Sequence, residues 1–222
     1  LVALAEARNL VLMVSYQRHF DPGYRYLKQA IAAGQLGELH SAGVRIGQNW
    51  RQLTEKSWRQ DPALSGGGML MDSGSHLVDI LLWLVDRPVV SVGALIDNAG
   101  TLVDITSMVL LEFRGGLQAN LQIMGDLPAM WLEDVLISGT SGIGRYYTDP
   151  QHPWRGGLVE HWRGSELVRP LELPVAPTAD ANWLDAIAGA AQCESPGTQG
   201  LQVALVTAAI YQAAQSGQVV RL

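Results

Sequence analysis

The chain is poor in the residues that build disulfide frameworks and cysteine-rich metal sites. Cys193 is the only cysteine among its 222 residues. A single cysteine excludes an intramolecular disulfide and any zinc site made from several thiolates. It agrees with a reducing compartment, so we expect cytoplasmic localisation, with an export signal upstream of Leu1 as the alternative. Cys193 falls in a predicted helix, where a small, inert and partly buried side chain is expected.

Lysine is nearly absent, and positive charge is scattered along the chain. Lys28 and Lys56 are the only lysines, and the 15 lysines and arginines are outnumbered by 21 acidic residues, which gives a formal net charge of −6. A nucleic-acid binder needs basic stripes that neutralise phosphates. The sequence therefore predicts no nucleic-acid partner.

Long hydrophobic runs are also missing. The longest uninterrupted apolar run, residues 80–85, is far shorter than the roughly 20 residues that span a bilayer. The sequence therefore predicts no membrane-spanning segment and no membrane partner.

The hydrophobic residues that are present predict a folded domain preceded by part of another. Hydrophobic residues make up 48% of the chain, enough to bury a sizeable core. The spacing of Leu1, Leu4 and Ala5 indicates a helix, and residues 11–14 indicate a buried strand. We interpret residues 1–20 as the last αβ unit of one domain with its crossover, and residues 21–222 as a second domain.

The second domain is predicted to be α+β, with an open, mostly antiparallel sheet that helices cover on one face. We predict helices over residues 1–8, 21–34, 69–85, 182–192 and 199–216. We predict strands over residues 10–15, 39–46, 89–97, 105–113, 117–124, 131–138, 144–147, 167–173 and 219–222. Residues 148–175 are rich in Pro, Gly and Trp and are otherwise expected to be irregular. Met108 and Leu110 alternate with Val109 and Leu111, so both sheet faces are partly apolar, and we expect another subunit to cover the second face.

The segment Ser65–Asp79, SGGGMLMDSGSHLVD, carries the chemistry. Asp72, His76 and Asp79 stand at i, i+4 and i+7, which places them on one face of an otherwise apolar helix. Histidine titrates near neutral pH and can take a proton from a substrate hydroxyl, while a carboxylate orients that hydroxyl or the ring. The three glycines permit a close backbone approach to a ligand and a tight helix start.

Other interpretations of these residues remain open at this point. Asp72 and His76 could form a satisfied core pair, and Asp79 could be a structural hydrogen-bond acceptor. A D-x3-H-x2-D metal site is a third alternative, but no further cluster of histidines or carboxylates supports it, so no metal is predicted. A binding or oligomerisation module without catalysis is a fourth.

Several stretches of the chain resemble one enzyme family. GGGMLMDSGSHLVDILLWL is similar to the GGG-x-L-x-D-x-G-x-H-x-x-D helix of the glucose–fructose oxidoreductase / inositol dehydrogenase / MocA (Gfo/Idh/MocA) family. VLMVSYQRHFDPGYRYLKQAIAAGQLGEL resembles that family's crossover between domains, and SWRQDPALSGGG resembles its Trp-Arg segment. The final 41 residues, from NWLDAIAG to VVRL, resemble its terminal helical hairpin. The resemblance covers nearly the whole chain, in the family's order.

The resemblance implies a two-domain enzyme that transfers a hydride between NAD or NADP and a sugar, polyol or related hydroxy compound. Residues 1–20 would be the remnant of a truncated NAD(P)-binding Rossmann domain. Residues 21–222 would form the substrate domain, whose open sheet makes a homodimer or homotetramer.

The resemblance also implies roles for individual residues. His76 would be the catalytic acid or base, and Asp72 would orient the substrate hydroxyl. The positions implied to approach the cofactor are Tyr16, Gln17, Arg18, Trp58 and Arg59. By location, further substrate contacts would come from Trp154, Arg155 and His161. Trp50, Trp154 and Trp162 can stack on a sugar ring or pack against the sheet, and His19 and His40 are expected at the surface or an interface.

The chain departs from the family pattern in its cofactor elements. It has no Gly-rich phosphate loop, because Gly142-Ile143-Gly144 better fits a hairpin turn. The family's Glu-Lys-Pro motif would lie upstream, since Glu55-Lys56 is followed by Ser57. We therefore expect this chain to be inactive alone, with a redox-neutral NAD-dependent glycosidase of the same fold as the alternative enzyme.

Overall fold

The computed structural model describes residues 1–128, 131–149, 151–152, 156–170 and 172–222. The helices are α1 Val2–Ala7, α2 Pro22–Ala32, α3 Trp50–Leu53, α4 Pro62–Ser65, α5 Ser75–Val85, α6 Ala179–Ile187 and α7 Gly197–Ser216. The strands are β1 Leu39–Gly47, β2 Val89–Asp97, β3 Thr106–Phe113, β4 Gln118–Met124, β5 Leu132–Gly139, β6 Gly142–Thr148, β7 Gly157–Arg163, β8 Glu166–Val168 and β9 Val220–Arg221. Trp154 and Arg155 lie outside the described residues.

The strands form one open sheet in the order β8-β7-β6-β5-β1-β4-β3-β2-β9. β1 lies in the middle, parallel to β4 and antiparallel to β5, and the other strand pairs within the described ranges are antiparallel. The α+β class with a mostly antiparallel open sheet is therefore confirmed.

Helices α2, α5 and α7 cover one face of this sheet, and the core lies between them and the strands. Helix α2 begins as predicted, because the Asp21 carboxylate accepts hydrogen bonds from the backbone N–H groups of Gly23 and Tyr24. Strand β3 shows the two faces most clearly. Val109 and Leu111 are buried towards the helices, whereas Met108 and Leu110 are 43% and 68% exposed on the opposite face.

The beginning of the chain differs from the prediction. Helix α1 is present, but residues 10–15 do not form the predicted strand. Met13 makes only an isolated antiparallel bridge to Pro196. Its neighbours bond the same short connection, through Val14 N–H to Ser195 O and Gly197 N–H to Leu12 O. A strand needs a continuous partner, and this connection offers only a few residues. Cys193 lies in the same connection between α6 and α7, half-buried, and not in a helix.

The predicted irregular segment 148–175 also needs correction, because it contains strand β7. Its residues alternate between the two faces, with Val159 and His161 towards α2 and Leu158 and Glu160 on the open face. The surrounding Gly, Pro and Trp residues concealed this alternation.

The stretch Pro62–Val85 is long and apolar enough, by length and composition, to cross a membrane. Within the protein, however, it is interrupted at Gly66, whose φ of 74° is left-handed and ends α4. Its apolar window is 61% buried against the rest of the fold, as expected for a core helix.

Candidate functional site

The glycines before α5 fit the backbone closely against the loop that precedes β3. A Cβ on Gly68 would overlap the carbonyl oxygen of Asp104. The Asp104 carboxylate accepts 2.7 Å hydrogen bonds from the N–H groups of Gly68 and Leu70, and a third 2.7 Å bond from the Tyr211 hydroxyl. Asp104 therefore satisfies the free donors at the start of this helical segment. The sequence analysis missed it, because it lies far away in the chain.

Residues Leu70–Gly74 form a π-helical turn, which corrects the prediction of one regular helix over 69–85. The Gly74 N–H donates to Met69 O at 2.8 Å, spanning five residues where an α-helix spans four. A π turn rotates the residues before it relative to those after it, and such turns are frequent at functional sites. As a result, no hydrogen bond between Asp72 and His76 occurs in the described structure.

The Asp72 carboxylate is held from one side only. Its Oδ2 atom accepts hydrogen bonds from Trp50 Nε1 at 2.7 Å and Arg59 Nε at 3.2 Å. Among the described residues nothing donates to Oδ1, and the side chain is 38% exposed. Asp72 therefore has a fixed orientation and one oxygen free for a ligand. Trp50 packs in the core at 3% exposure, so the stacking role considered for its ring is not supported.

His76 projects from the first turn of α5 and packs against Tyr16. The two rings are nearly perpendicular, at 84°, with centroids 5.4 Å apart. The Nδ1 atom of His76 is buried and has no hydrogen-bond partner within the described part of the chain. Burial lowers the pKa of His76 from its ordinary value of 6.5, and the nearby Arg18 guanidinium lowers it further. The imidazole is therefore neutral near pH 7 and able to accept a proton.

Tyr16 stays an un-ionised phenol under the same conditions. Burial raises its pKa to about 12, and the negative charge of Asp79 acts in the same direction. Tyr16 contributes a neutral aromatic wall to the histidine and not a second base.

Arg18 is clamped beside this histidine by Glu133 at the start of β5. Its Nε and Nη2 atoms donate to the two Glu133 oxygens at 2.8 and 2.5 Å, and the Tyr24 hydroxyl donates to Oε1. Such a bidentate pair fixes both the position and the charge of the guanidinium. Glu133 was missed by the sequence analysis, although a signal existed. It alternates with Val135 and Ile137 on the helix-covered face of β5, where a carboxylate is unexpected.

The segment that resembles the family's Trp-Arg motif reaches the same site. Trp58 is 53% exposed, and its ring stacks with the Arg59 guanidinium at 4.6 Å. Because Arg59 also bonds Asp72, this segment is connected to the predicted catalytic helix. Gln17 is exposed at the crossover, one residue from Tyr16.

His161 and His19 do not lie where the sequence predicted. His161, expected among the substrate contacts, is fully buried beneath α2, where its Nδ1 atom lies 3.0 Å from the Tyr26 hydroxyl. No described contact connects it with His76. His19, expected at the surface or an interface, is also fully buried and lies against Asp79. His40 is exposed, as predicted.

Asp72, His76 and Asp79 face different segments of the protein, and this geometry does not suit a shared metal ion. In the described ranges, no group of three or more His, Cys, Asp and Glu side chains is arranged to hold one.

The comparison with known families agrees with this arrangement. A model of the GFO/IDH/MocA C-terminal domain matches residues 24–145, which is more than half of the chain and includes the π turn, α5 and Glu133. The chain belongs to the Gfo/Idh/MocA family. The motif resemblance is thereby confirmed.

Curated relatives in the Gfo/Idh/MocA family are named as dehydrogenases and oxidoreductases. An inositol 2-dehydrogenase of Pseudomonas fluorescens is 25% identical over 232 residues, covering 98% of this chain and 63% of the relative. A trans-1,2-dihydrobenzene-1,2-diol dehydrogenase of Oryctolagus cuniculus is 29% identical over 183 residues, covering 80% of this chain and 50% of the relative. The chain thus spans between half and two thirds of these two proteins.

Solved structures in the same family share the fold over the whole chain. The aldose-aldose oxidoreductase of Caulobacter crescentus, complexed with glycerol, has a TM-score of 0.83 at 24% identity, covering 100% of this chain and 67% of that one. The WlbA dehydrogenase of Bordetella pertussis, in complex with NADH and UDP-GlcNAcA, has a TM-score of 0.84 at 23% identity with the same coverage. At these identities the likeness bears on the fold alone.

Proposed function

We propose that this chain is the substrate-side part of a nicotinamide-dependent dehydrogenase that acts on a hydroxyl group of a sugar, polyol or related compound. The observation that carries the proposal is that one short segment carries both a neutral, partly exposed His76 and an Asp72 carboxylate that keeps one oxygen free. Alcohol oxidation needs a base for the hydroxyl proton and a group that orients the hydroxyl. Membership of the Gfo/Idh/MocA family supports this assignment.

His76 is the proposed base. In the oxidising direction, the imidazole takes the proton of the substrate hydroxyl while the hydrogen on the same carbon leaves as a hydride, and a carbonyl remains. In the reducing direction, the imidazolium returns the proton to the forming alkoxide. Burial and then Arg18 disfavour the positive charge on the ring, so the neutral form predominates near neutral pH.

Asp72 is the proposed orienting group. Trp50 and Arg59 hold Oδ2, so Oδ1 can accept a hydrogen bond from a substrate hydroxyl without any change of the side-chain conformation. A fixed acceptor places the reacting carbon reproducibly, which is a large part of the rate that an enzyme gains by orientation.

A nicotinamide, when bound, supplies the hydride acceptor or donor. Exposed donors and an aromatic face lie beside the site. Trp58 and Arg59 are exposed next to Asp72, and Gln17 is exposed at the crossover. Together with Tyr16 and Arg18 beside His76, they suit the nicotinamide end of a dinucleotide. The chain holds no Gly-rich loop for the pyrophosphate. Only the nicotinamide end is therefore assigned to residues of this chain.

The open face of the sheet is the proposed surface for a second copy of the chain. Leu95, Met108 and Leu110 expose an apolar patch on it, and Asp134 nearby accepts hydrogen bonds from both Arg45 and Arg145. An exposed apolar patch with satisfied polar groups on the same face matches the apolar core and polar rim of a subunit interface. We propose a homodimer or homotetramer formed through this face.

The test follows nicotinamide absorbance over a panel of sugars, inositols and their acids. It uses the protein with any upstream coding sequence restored. A His76→Ala variant is expected to lose about two to four orders of magnitude in kcat, because it lacks the general base. The control is His40→Ala, which removes an exposed histidine of β1 and should keep full activity. If the intact protein binds cofactor but never accumulates its reduced form, the dehydrogenase proposal is wrong, and redox-neutral glycoside cleavage or a non-catalytic binding role takes its place.

A further inference from the structure

Residues 16–20 run beside the first turns of α5, next to the site, and contact α5 at two positions. Tyr16 precedes the 3-10 turn Gln17–Phe20 and faces His76 on α5. Three residues further along each segment, His19 faces Asp79, with His19 Nε2 and Asp79 Oδ2 only 2.9 Å apart. The His19–Asp79 contact lies three residues along both segments from the Tyr16–His76 contact. Its geometry therefore constrains how the Tyr16 ring packs against His76.

The polar atoms of the second pair are fully enclosed and have few alternative partners. His19 and Asp79 are both 0% exposed. His19 Nδ1 lies 2.8 Å from the backbone carbonyl of Glu194, which can only accept, so Nδ1 carries a proton and donates. Asp79 Oδ1 accepts from Gln199 Nε2 at 3.0 Å.

The remaining contact joins the two side chains directly. His19 Nε2 and Asp79 Oδ2 lie 2.9 Å apart, within ion-pair distance, although the geometry is off the line of an ideal hydrogen bond. This contact joins the crossover to α5.

Packing fixes the His19 ring in this position. The ring stacks on Trp83, with centroids 4.4 Å apart and planes at 22°. Glu194, whose carbonyl bonds His19, is itself held by Arg25 at 2.7 Å. The pair thus connects the crossover, α5, the connection before α7 and α7 itself.

Burying such a pair is costly, and an apolar pair of the same volume would often stabilise a fold equally well. We propose that His19 and Asp79 are positioning residues for His76, and that they fix the catalytic ring against Tyr16 by locking α5 to the crossover. The catalytic part of this inference rests on the proposed dehydrogenase function, whereas the geometric part does not.

Electrostatics supports the same assignment. Burial and Arg18 lower the pKa of His76, whereas the negative charges of Asp79, Glu133 and Asp72 raise it. Asp79 also contributes to the raised pKa of Tyr16, after burial. Its charge therefore acts on both rings of the first contact.

Two substitutions at His19 separate the two bonds of its ring. His19→Asn keeps a donor near the Nδ1 position for Glu194 O but cannot reach Asp79. His19→Gln places its amide nitrogen near the Nε2 position and keeps the contact with Asp79. Asp79→Asn removes the charge without changing the volume. Tyr26→Phe is the matched control, since it removes a buried hydrogen bond to another histidine, His161, which has no described contact with His76.

The first measurement is the NMR spectrum of the histidine rings in the 222-residue chain, with His76 assigned by the loss of its signals in His76→Ala. The Tyr16 ring current displaces these signals, so they report the contact directly. His19→Asn and Asp79→Asn should shift them, whereas His19→Gln and Tyr26→Phe should leave them in place. If His19→Asn does not fold, the His76 signals of Asp79→Asn and Tyr26→Phe are compared instead. The proposal then requires a shift in Asp79→Asn and none in Tyr26→Phe. Equal shifts in His19→Asn and His19→Gln, or no shift in either, would overturn the proposal.

The second measurement is steady-state kinetics with upstream sequence restored. His19→Asn is expected to lower kcat about 10- to 100-fold while KM stays within about twofold, because a misplaced base affects the reacting geometry more than binding. His19→Gln should recover most of the rate. If the NMR shifts occur but no variant or parent reduces a nicotinamide, the dehydrogenase function fails and the positioning role stands. If the rate falls equally in His19→Asn and Tyr26→Phe, the positioning role fails.

Discussion

At the scale of single residues, the pKa of His76 determines the pH range in which the proposed enzyme works. The imidazole is largely buried, and Arg18 lies nearby, so the folded protein holds the pKa below the ordinary 6.5. Oxidation needs the neutral ring. Activity should therefore be complete above pH 6.5 and be lost as pH falls through the lower pKa of the folded state.

Replacing Arg18 by Gln tests this account. Removal of the guanidinium charge should raise the His76 pKa and move the acidic limb of the kcat/KM profile to higher pH. The matched control is Arg114→Gln, which removes an exposed arginine in the turn after β3 and should leave the limb unmoved. If the acidic limb of the Arg18→Gln profile stays at the same pH, burial alone lowers the pKa of His76.

Sequence reasoning found the residues of the site that lie close together in the chain. Asp72 and His76 fall within one short motif, so their spacing was informative. Asp104 and Glu133 were missed, because they reach the site from a loop and a β-strand end whose positions depend on the assembled sheet. Trp50 was named, but its hydrogen bond to Asp72 was not predicted. His19 was misplaced for a related reason, since its partners Asp79, Trp83 and Glu194 are all distant in sequence.

At the scale of elements, the start of the helical segment that carries Asp72 and His76 depends on a close approach between two backbones. Gly68→Ala should lower the free energy of unfolding by about 2 kcal/mol, since the added methyl would overlap the Asp104 backbone and force it away. Urea denaturation measures this change.

Gly93→Ala is the control for that experiment. Gly93 lies in β2, and its added methyl would meet only Val219 Cγ2 at 3.8 Å, an ordinary contact. Its stability should be unchanged or slightly higher, because alanine restricts the unfolded chain. Equal losses of unfolding free energy in Gly68→Ala and Gly93→Ala would show that the Asp104 backbone moves aside at little cost. The start of the helical segment would then tolerate a side chain at position 68.

Elements with strong local patterns were predicted well. Strand β2 was predicted at its observed bounds, and β3 and β4 within one residue, because alternation and glycine turns are local signals. The π turn was missed, since Leu70–Gly74 has the composition of an ordinary helix. The turn packs tightly against the sheet, since a Cβ on Gly74 would lie 2.8 Å from Ile123 Cδ1 of β4.

At the scale of the whole molecule, the open face of the sheet determines the proposed assembly. Leu110→Glu would place a charge in the centre of the apolar patch on β3, where Leu110 is 68% exposed. The variant should be monomeric by light scattering after size-exclusion chromatography, whereas the parent chain should be a dimer or tetramer.

Leu53→Glu controls for the added charge. Leu53 is 77% exposed on α3, away from the open face, so this variant should keep the parent's assembly. A monomeric parent, or a Leu110→Glu variant that stays associated, would contradict the proposed interface.

The order of the strands was beyond the reach of the sequence patterns. Each hairpin could be inferred from its turn, but nothing local indicates that β1 inserts between β4 and β5. That placement depends on which long-range pairing buries Val44 and Ile46 best.

The insertion of β1 has a consequence for how the chain folds. Within β2 to β4 and within β5 to β8, strands that follow one another in the chain are neighbours in the sheet, so each group can form through local contacts. The two groups are joined in the sheet only by β1, whose residue Ser41 pairs with Gln118 and whose Val44 pairs with Val135. Closing these large loops costs entropy before any contact compensates for it, and such non-local pairing slows folding. Docking of β1 is therefore the expected rate-limiting step, and until it occurs the two half-sheets expose their unpaired edges to aggregation.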